Sequence, residues 1–329
     1  MRLLRRPEVE RALPLADCIE AVAEAMMATS AGLADLPLRM HLPVRDTPGK
    51  LVVMPGVLAP LRVFGLKIVS KFPRPAGDRH GSHVGMVVIF DADNGLPLAL
   101  LEGGVLTEIR TAAASALATR TLSRPQSRVL AILGTGAQAK WHARAIPVVR
   151  PIDELRIWGR SAPHAAALAA QLRAETQLNV VVAPTARAAV QGADIVCTTT
   201  SSATPILAGD WLAPGMHLNL VGSAIPTTAE VDVECVRRAR YFVDSRSSAA
   251  AEAGELRAAT QAGVVGSDHI VAEIGDVVAG RAAGRASDTE ITLYKSLGVA
   301  SQDLAAGLRA YHTAVKLDLG TPFDLLESE

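Results

Sequence analysis

Val129-Leu130-Ala131-Ile132-Leu133-Gly134-Thr135-Gly136-Ala137-Gln138-Ala139 is an apolar run that breaks into G-x-G-x-x-A. The order of its parts decides the fold. The apolar residues read as a buried strand, and the glycines behind them as a turn into a helix. Gly134 permits a tight turn, and Gly136 lets backbone amides approach an anion with no Cβ in the way. Ala139 allows close helix–strand packing, and the helix N-terminus supplies partial positive charge. A bare G-x-G-x-x-A arises often by chance. Set between a strand and a helix, with more β-α-β behind it, the segment reads as a dinucleotide phosphate turn formed by Gly134, Thr135, Gly136, Ala137 and Gln138.

Downstream the rhythm continues, with strands expected at 129–133, 154–158, 180–182, 195–199, 217–221 and 241–243. Helices are expected over 137–149, 163–176 and 186–191. Such repeats give an α/β protein with a doubly wound parallel sheet, the Rossmann arrangement. Upstream the texture differs. Residues 12–31 form an amphipathic helix with Leu15, Ile19, Val22 and Met26 on one face. Strands at 51–54, 65–69, 86–90 and 98–101, with Asp93-Asn94-Gly95 as a hairpin turn, make an α+β region with a largely antiparallel sheet. An alanine-rich helix over 108–122 ends at Ser123-Arg124-Pro125, a hinge, because proline disfavours helix in the residue before it. The expected division is 1–122 with 312–329 folded back on it, and 123–311 as the Rossmann domain.

Of 329 residues, 49% are apolar and 20% charged, which gives core material for two domains. Lys plus Arg equals Asp plus Glu at 33 each, and only 3% of residues are aromatic, so neither a nucleic-acid partner nor an anionic membrane is expected. Cys18, Cys197 and Cys235 are far apart and odd in number, with no metal-ligand or disulfide spacing. No metal is expected. The charged start, and apolar runs far shorter than the ~20 residues that cross a bilayer, favour a cytoplasmic protein.

The end of the second Rossmann strand distinguishes NAD from NADP. It reads Trp158-Gly159-Arg160-Ser161, without a carboxylate for the ribose 2′-hydroxyl. Arg160 and Ser161 suit a 2′-phosphate, so NADPH is favoured, with NADH as the other option. The other reading of Arg160 is a solvated surface residue. Thr198, Thr199 and Thr200 end one strand and Val221, Gly222 and Ser223 the next, in the crevice at the carboxyl edge of the sheet. There their hydroxyls either meet a ligand or reflect the β-propensity of threonine.

Arg39, Lys67 and Arg110 stand at element boundaries or inside apolar runs. Lys67 interrupts an apolar strand, where a charge is expensive unless it serves an anion, and Arg110 opens a helix that would prefer acid in its first turn. Each alone also reads as an ordinary salt-bridge partner. Several segments in order add to this reading: Met54-Pro55, 65–67, Ile109-Arg110-Thr111-Ala112-Ala113-Ala114-Ser115, 134–139, 214–219, 287–292 and Lys295-Ser296-Leu297-Gly298. With them the chain resembles the ornithine cyclodeaminase/mu-crystallin family over nearly its whole length.

The resemblance implies that Arg39, Lys67 and Arg110 bind the carboxylate of an amino or imino acid, with Ser223 beside it. A fork of guanidinium donors suits a carboxylate, and two guanidinium groups near Lys67 lower its pKa. The resemblance also implies a homodimer formed through the first domain. Lys295, Ser296 and Gly298, with Asp303 after them, would close over the nicotinamide, although Asp303 also reads as a helix N-terminal acid. His83 is either a second proton donor or a turn residue capping the next strand. Cyclodeaminases carry an Asp where this chain has Ala224, and a Glu where it has Val52. The expected activity is NADPH-dependent reduction of a small 2-imino acid, a ketimine such as pyrroline-2-carboxylate, to the L-amino acid, or the reverse oxidation. An NAD-dependent ornithine cyclodeaminase and a non-catalytic crystallin-like NADPH-binding protein are the alternatives.

Overall fold

The computed structural model describes residues 1–73 and 83–324. The chain divides into two compact units: Met1–Arg110 with Val299–Glu329, and Thr111–Gly298. These boundaries replace the expected 122/123 and 311/312. The difference has a physical reason at each end. The helix Gly103–Leu122 begins earlier than 108, because Glu102 caps it: its Oε1 accepts from Gly104 N at 2.8 Å and its Oε2 from Val105 N at 2.7 Å. Arg110 therefore lies inside the helix rather than in its first turn. At the other end, the helix Ala300–Lys316 packs on the strands and helices of the first unit.

The first unit holds strands β1 (Arg2–Leu4), β2 (Ala34–Asp35), β3 (Met40–Pro43), β4 (Lys50–Leu58), β5 (Val63–Lys71), β6 (His83–Asp91) and β7 (Pro97–Glu102). The sheet runs β1-β7-β6-β5-β4-β2, with β3 also on β4 and the segment Thr321–Pro322 outside β1. Pairing is antiparallel except between β1 and β7. Alternation gives the sheet two unlike faces. Val52, Met54, Val69, Val87 and Ile89 are buried on the face that carries Ala300–Lys316. The other face is also apolar: Phe64 and Phe90 stack at 5.2 Å, and Val57, Val84 and Met86 are 39%, 38% and 47% exposed.

The second unit is the α/β part. Its strands are β8 (Val129–Leu133), β9 (Glu154–Trp158), β10 (Asn179–Val182), β11 (Ile195–Thr198), β12 (His217–Leu220), β13 (Arg240–Val243), β14 (Ile270–Glu273) and β15 (Thr292–Lys295). All are parallel, in the order β10-β9-β8-β11-β12-β15-β13-β14. Strand order reverses between β8 and β11, the point at which doubly wound sheets open a ligand crevice. Buried Leu133, Val196, Leu218, Leu220, Tyr241 and Leu293 lie in its core. β15, inserted between β12 and β13, is a four-residue run that is not among the expected strands. Cys18, Cys197 and Cys235 are buried and free. Among the described residues, no helix is long and apolar enough to cross a membrane.

Candidate active site

In the first unit the centre is Lys67. It sits mid-β5, paired with Met54 and Val87, on the buried face between Gly65 and Val69. Only 4% of it is exposed. Its Nζ donates to Asp303 Oδ1 at 3.0 Å and lies 2.9 Å from Oδ2. Arg110, equally buried, donates from Nε to the same Oδ1 at 2.9 Å and from Nη1 to Gln302 Oε1 at 2.7 Å. One carboxylate thus receives two buried cations. Burial, then the Arg110 charge, pushes Lys67 down to about 7, against the opposing pull of Asp303; Arg39 adds a smaller push in the same direction. Burial alone would raise Asp303, but Arg110 and Lys67 hold it below the usual carboxylate range.

Asp303 is therefore not simply an acid at a helix start. It lies in the first turn of Ala300–Lys316, yet its role is to hold Lys67 and Arg110 together. The sequence carries one signal for it: a lone carboxylate inside a helical run of alanine and leucine, where an unpaired acid would be costly. Arg39 is half-buried ahead of β3, near enough for its charge to act on Lys67. The backbone of His83 opens β6 opposite Lys71, while its side chain and residues 74–80 lie outside the described residues. Val52, where cyclodeaminases carry a Glu, packs with Met54, Val69 and Ala300.

In the second unit the phosphate turn has the expected form. Gly134 has φ +139°, and a Cβ there would collide with Thr199 Oγ1, so only glycine fits. Gly134 N donates to Trp158 O at 2.8 Å, which brings the end of β9 to the turn. Around Gly136 there is open space, and the helix Ala137–Val149 starts with no side chain capping it. Its first N–H groups thus suit a pyrophosphate, and the turn fits a dinucleotide. Gln138 O accepts from His142 Nδ1 at 2.7 Å; with that proton placed, His142 Nε2 accepts from Ser115 Oγ at 2.9 Å. Burial pushes His142 down to about 4, so it is neutral. Arg160 is exposed at the end of β9, and Ser161 caps the helix Ala162–Glu175 by accepting from His164 N at 3.4 Å.

The strand ends differ from expectation. Thr198 Oγ1 donates to Glu230 Oε2 at 2.8 Å, and Thr200 Oγ1 to Glu230 Oε1 at 2.7 Å. Both hydroxyls thus have a buried acid as their acceptor. Thr199 Oγ1 donates to Leu133 O at 3.3 Å, and Val221 N to Thr198 O at 3.0 Å. Lys295 is likewise engaged inside the unit: Nζ donates to Ser223 O at 2.6 Å and lies 2.7 Å from Glu255 Oε1. Ser223 Oγ donates to Thr228 O at 2.8 Å. Ser296 N donates to Leu220 O at 2.9 Å, and Gly298 N, at φ +81° and 2.5 Å, to Asp244 Oδ2. Ala224 is half-buried against the core, with no acid in its place.

A model of the ornithine cyclodeaminase/mu-crystallin family matches residues 2–316. The chain belongs to that family. A Delta(1)-pyrroline-2-carboxylate reductase of Bacillus cereus is 34% identical over 321 residues, covering 97% of this chain and 98% of that one. The solved structure of the Thermococcus litoralis Delta(1)-pyrroline-2-carboxylate reductase, in complex with NADH and L-proline, has a TM-score of 0.94 at 32% identity. It covers 98% of this chain and 100% of its own. An archaeal alanine dehydrogenase dimer with bound NAD has a TM-score of 0.91 at 30% identity, with 99% of each chain covered.

Proposed function

We propose that the protein is an NADPH-dependent reductase of small 2-imino acids, with pyrroline-2-carboxylate as the model substrate. The observation that carries the reading is the pair of buried cations, Lys67 and Arg110, on one carboxylate, Asp303. Such a cluster takes up a further anion favourably, and the carboxylate of an imino acid supplies it. Arg110 and Arg39 bind and orient that carboxylate. Lys67, near 7 before substrate arrives, is drawn back to its charged form by the incoming negative charge and holds a proton for the imine nitrogen. The reduced nicotinamide, when bound, supplies the hydride that the imine carbon accepts. The Gly134 turn, with Arg160 for a 2′-phosphate, accounts for the cofactor and its phosphorylated form. The reverse oxidation uses the same residues.

The relatives support this reading: two are named for pyrroline-2-carboxylate reduction, and one of these was solved with NADH and L-proline. Val52 and Ala224 disfavour ornithine cyclodeamination, because the two acids of that reaction are replaced by apolar residues. A homodimer through the outer face of the first unit's sheet is part of the proposal, since the Phe64–Phe90 face exposes apolar side chains. Sedimentation of the purified chain tests it, and a monomer would refute it.

The activity is tested by following NADPH absorbance with pyrroline-2-carboxylate, piperideine-2-carboxylate, and pyruvate with ammonia or methylamine. Ornithine with NAD is assayed separately for ammonia. Turnover of one imine with NADPH is expected. Fast conversion of ornithine to proline would sink the reductase reading, and tight NADPH binding with no turnover of any imine would favour a binding protein.

A further inference from the structure

The four donors gathered on Glu230 carry a role that the expected motif does not contain. Glu230 is 1% exposed and lies outside both the phosphate turn and the strands. Its Oε1 accepts from Thr200 N and Thr200 Oγ1, both at 2.7 Å. Its Oε2 accepts from Thr198 Oγ1 at 2.8 Å and Gly222 N at 2.7 Å. Every lone-pair position of the carboxylate is thereby used by the protein's own donors. Thr198 ends β11, and Thr200 and Gly222 follow the carboxyl ends of β11 and β12, which are paired neighbours. Gly222 makes room for it: a Cβ there would collide with Thr200 O and meet Glu230 Oε1 at 2.5 Å. The clasp reaches the phosphate turn through Thr199, whose Oγ1 occupies the space that a Cβ on Gly134 would need.

We infer that Glu230 is a positioning residue for the dinucleotide, holding the ends of β11 and β12 so that Thr199 fixes the Gly134 turn and Gly222 keeps its place at the end of β12. The inference rests on the reading of the second unit as a dinucleotide site. A carboxylate is required chemically. Glutamine places an NH2 group against two of the four donors, so two hydrogen bonds are lost and donor faces donor.

The test is fluorescence titration of NADPH into wild type and Glu230→Gln, with steady-state KM values for NADPH and for the imino acid. In Glu230→Gln the NADPH Kd and KM rise by about tenfold or more, as loss of charge-assisted hydrogen bonds predicts, while the imino-acid KM stays within about twofold. A general loss of folding would move both constants and the melting temperature together. Should that variant not fold, Thr198→Val with Thr200→Val leaves the acid in place and removes two of its donors, and NADPH binding weakens in the same direction. A folded variant with an unchanged NADPH Kd overturns the role of Glu230. A wild type that binds neither NADPH nor NADH overturns the dinucleotide reading itself, and this inference with it.

Discussion

Each unit of the chain buries a lysine against a carboxylate, and the two lysines answer to different demands. In the second unit, Lys295 meets one acid, Glu255, and one carbonyl, Ser223 O. Charge is matched inside the unit. In the first unit, Lys67 shares Asp303 with Arg110, so that among the described residues two cations lean on one carboxylate. Burial alone therefore does not mark a functional charge, since both lysines are almost wholly buried. The mismatch marks it. An unmatched buried cation is tolerated where a ligand supplies the missing anion, and a matched pair needs nothing more.

The largest expected effect follows from removing the mismatched lysine. Lys67→Met is expected to lower kcat/KM for the imino acid by about 10³-fold, within the range of a lost proton-transfer group and a lost carboxylate contact. Its melting temperature should hold or rise, because Arg110 still compensates Asp303. Activity within about tenfold of wild type would place the proton donor elsewhere. The matched lysine should behave in the opposite way. Lys295→Met leaves Glu255 buried without its cation and is expected to lose about 3–5 kcal/mol of stability. Adding Glu255→Leu removes the stranded charge and should restore most of that. Denaturant titrations of both variants check it, and a double variant no better than the single one would show that the pair is not balanced as described.

One side of this contrast is legible in the amino-acid sequence. The 129–139 segment announces strand, turn and helix, and β8 and the helix after it have the expected bounds, because glycines and an apolar run are local signals. Lys67 stands out for the same reason: a charge in a β-branched run is visible wherever the strand goes. The acids are harder. Asp303 and Glu230 act on residues far away in sequence, and no local pattern says which cation or amide an acid will meet. Residues 300–311 of the helix Ala300–Lys316 lie in the other unit from the one expected on the same account, since amphipathic periodicity states that a helix has a buried face and not which sheet it covers. The threonines at 198 and 200 stand at a strand end as expected, yet their hydroxyls point to Glu230, a partner that strand periodicity cannot supply.

The acid of the first unit offers a finer test, through pH. Asp303 raises the Lys67 pKa against burial and against Arg110. If the charged form of Lys67 is the active one, kcat/KM falls as pH rises through its pKa. Asp303→Asn removes the raising charge, so this limb should move toward acid by about one unit and the rate near neutrality should drop by about fivefold. The groups that act on Lys67 in the variant are then Arg110 and Arg39, both cationic, and the direction of the shift follows from their sign. A lower rate with an unmoved profile would make Asp303 a packing residue.

The smallest expected effect concerns Arg160, because it alone among these charges is exposed. Solvent and salt screen an exposed pair, and a single surface contact is commonly worth under about 1 kcal/mol. A 2′-phosphate carries nearly two charges, and a guanidinium can donate to it from two nitrogens, so the contact sits at the upper end of that range. Arg160→Asp both withdraws this donor and sets a carboxylate against the phosphate, while offering an acceptor to the 2′-hydroxyl of NADH. The ratio of kcat/KM for NADPH over NADH should therefore fall by about three- to fivefold, and the difference from wild type should shrink as ionic strength rises. The imino-acid KM, which the proposal assigns to the buried cluster of the first unit, should not change. An unaltered cofactor ratio would leave Arg160 a solvated surface residue and return the choice of dinucleotide to the turn at Gly134.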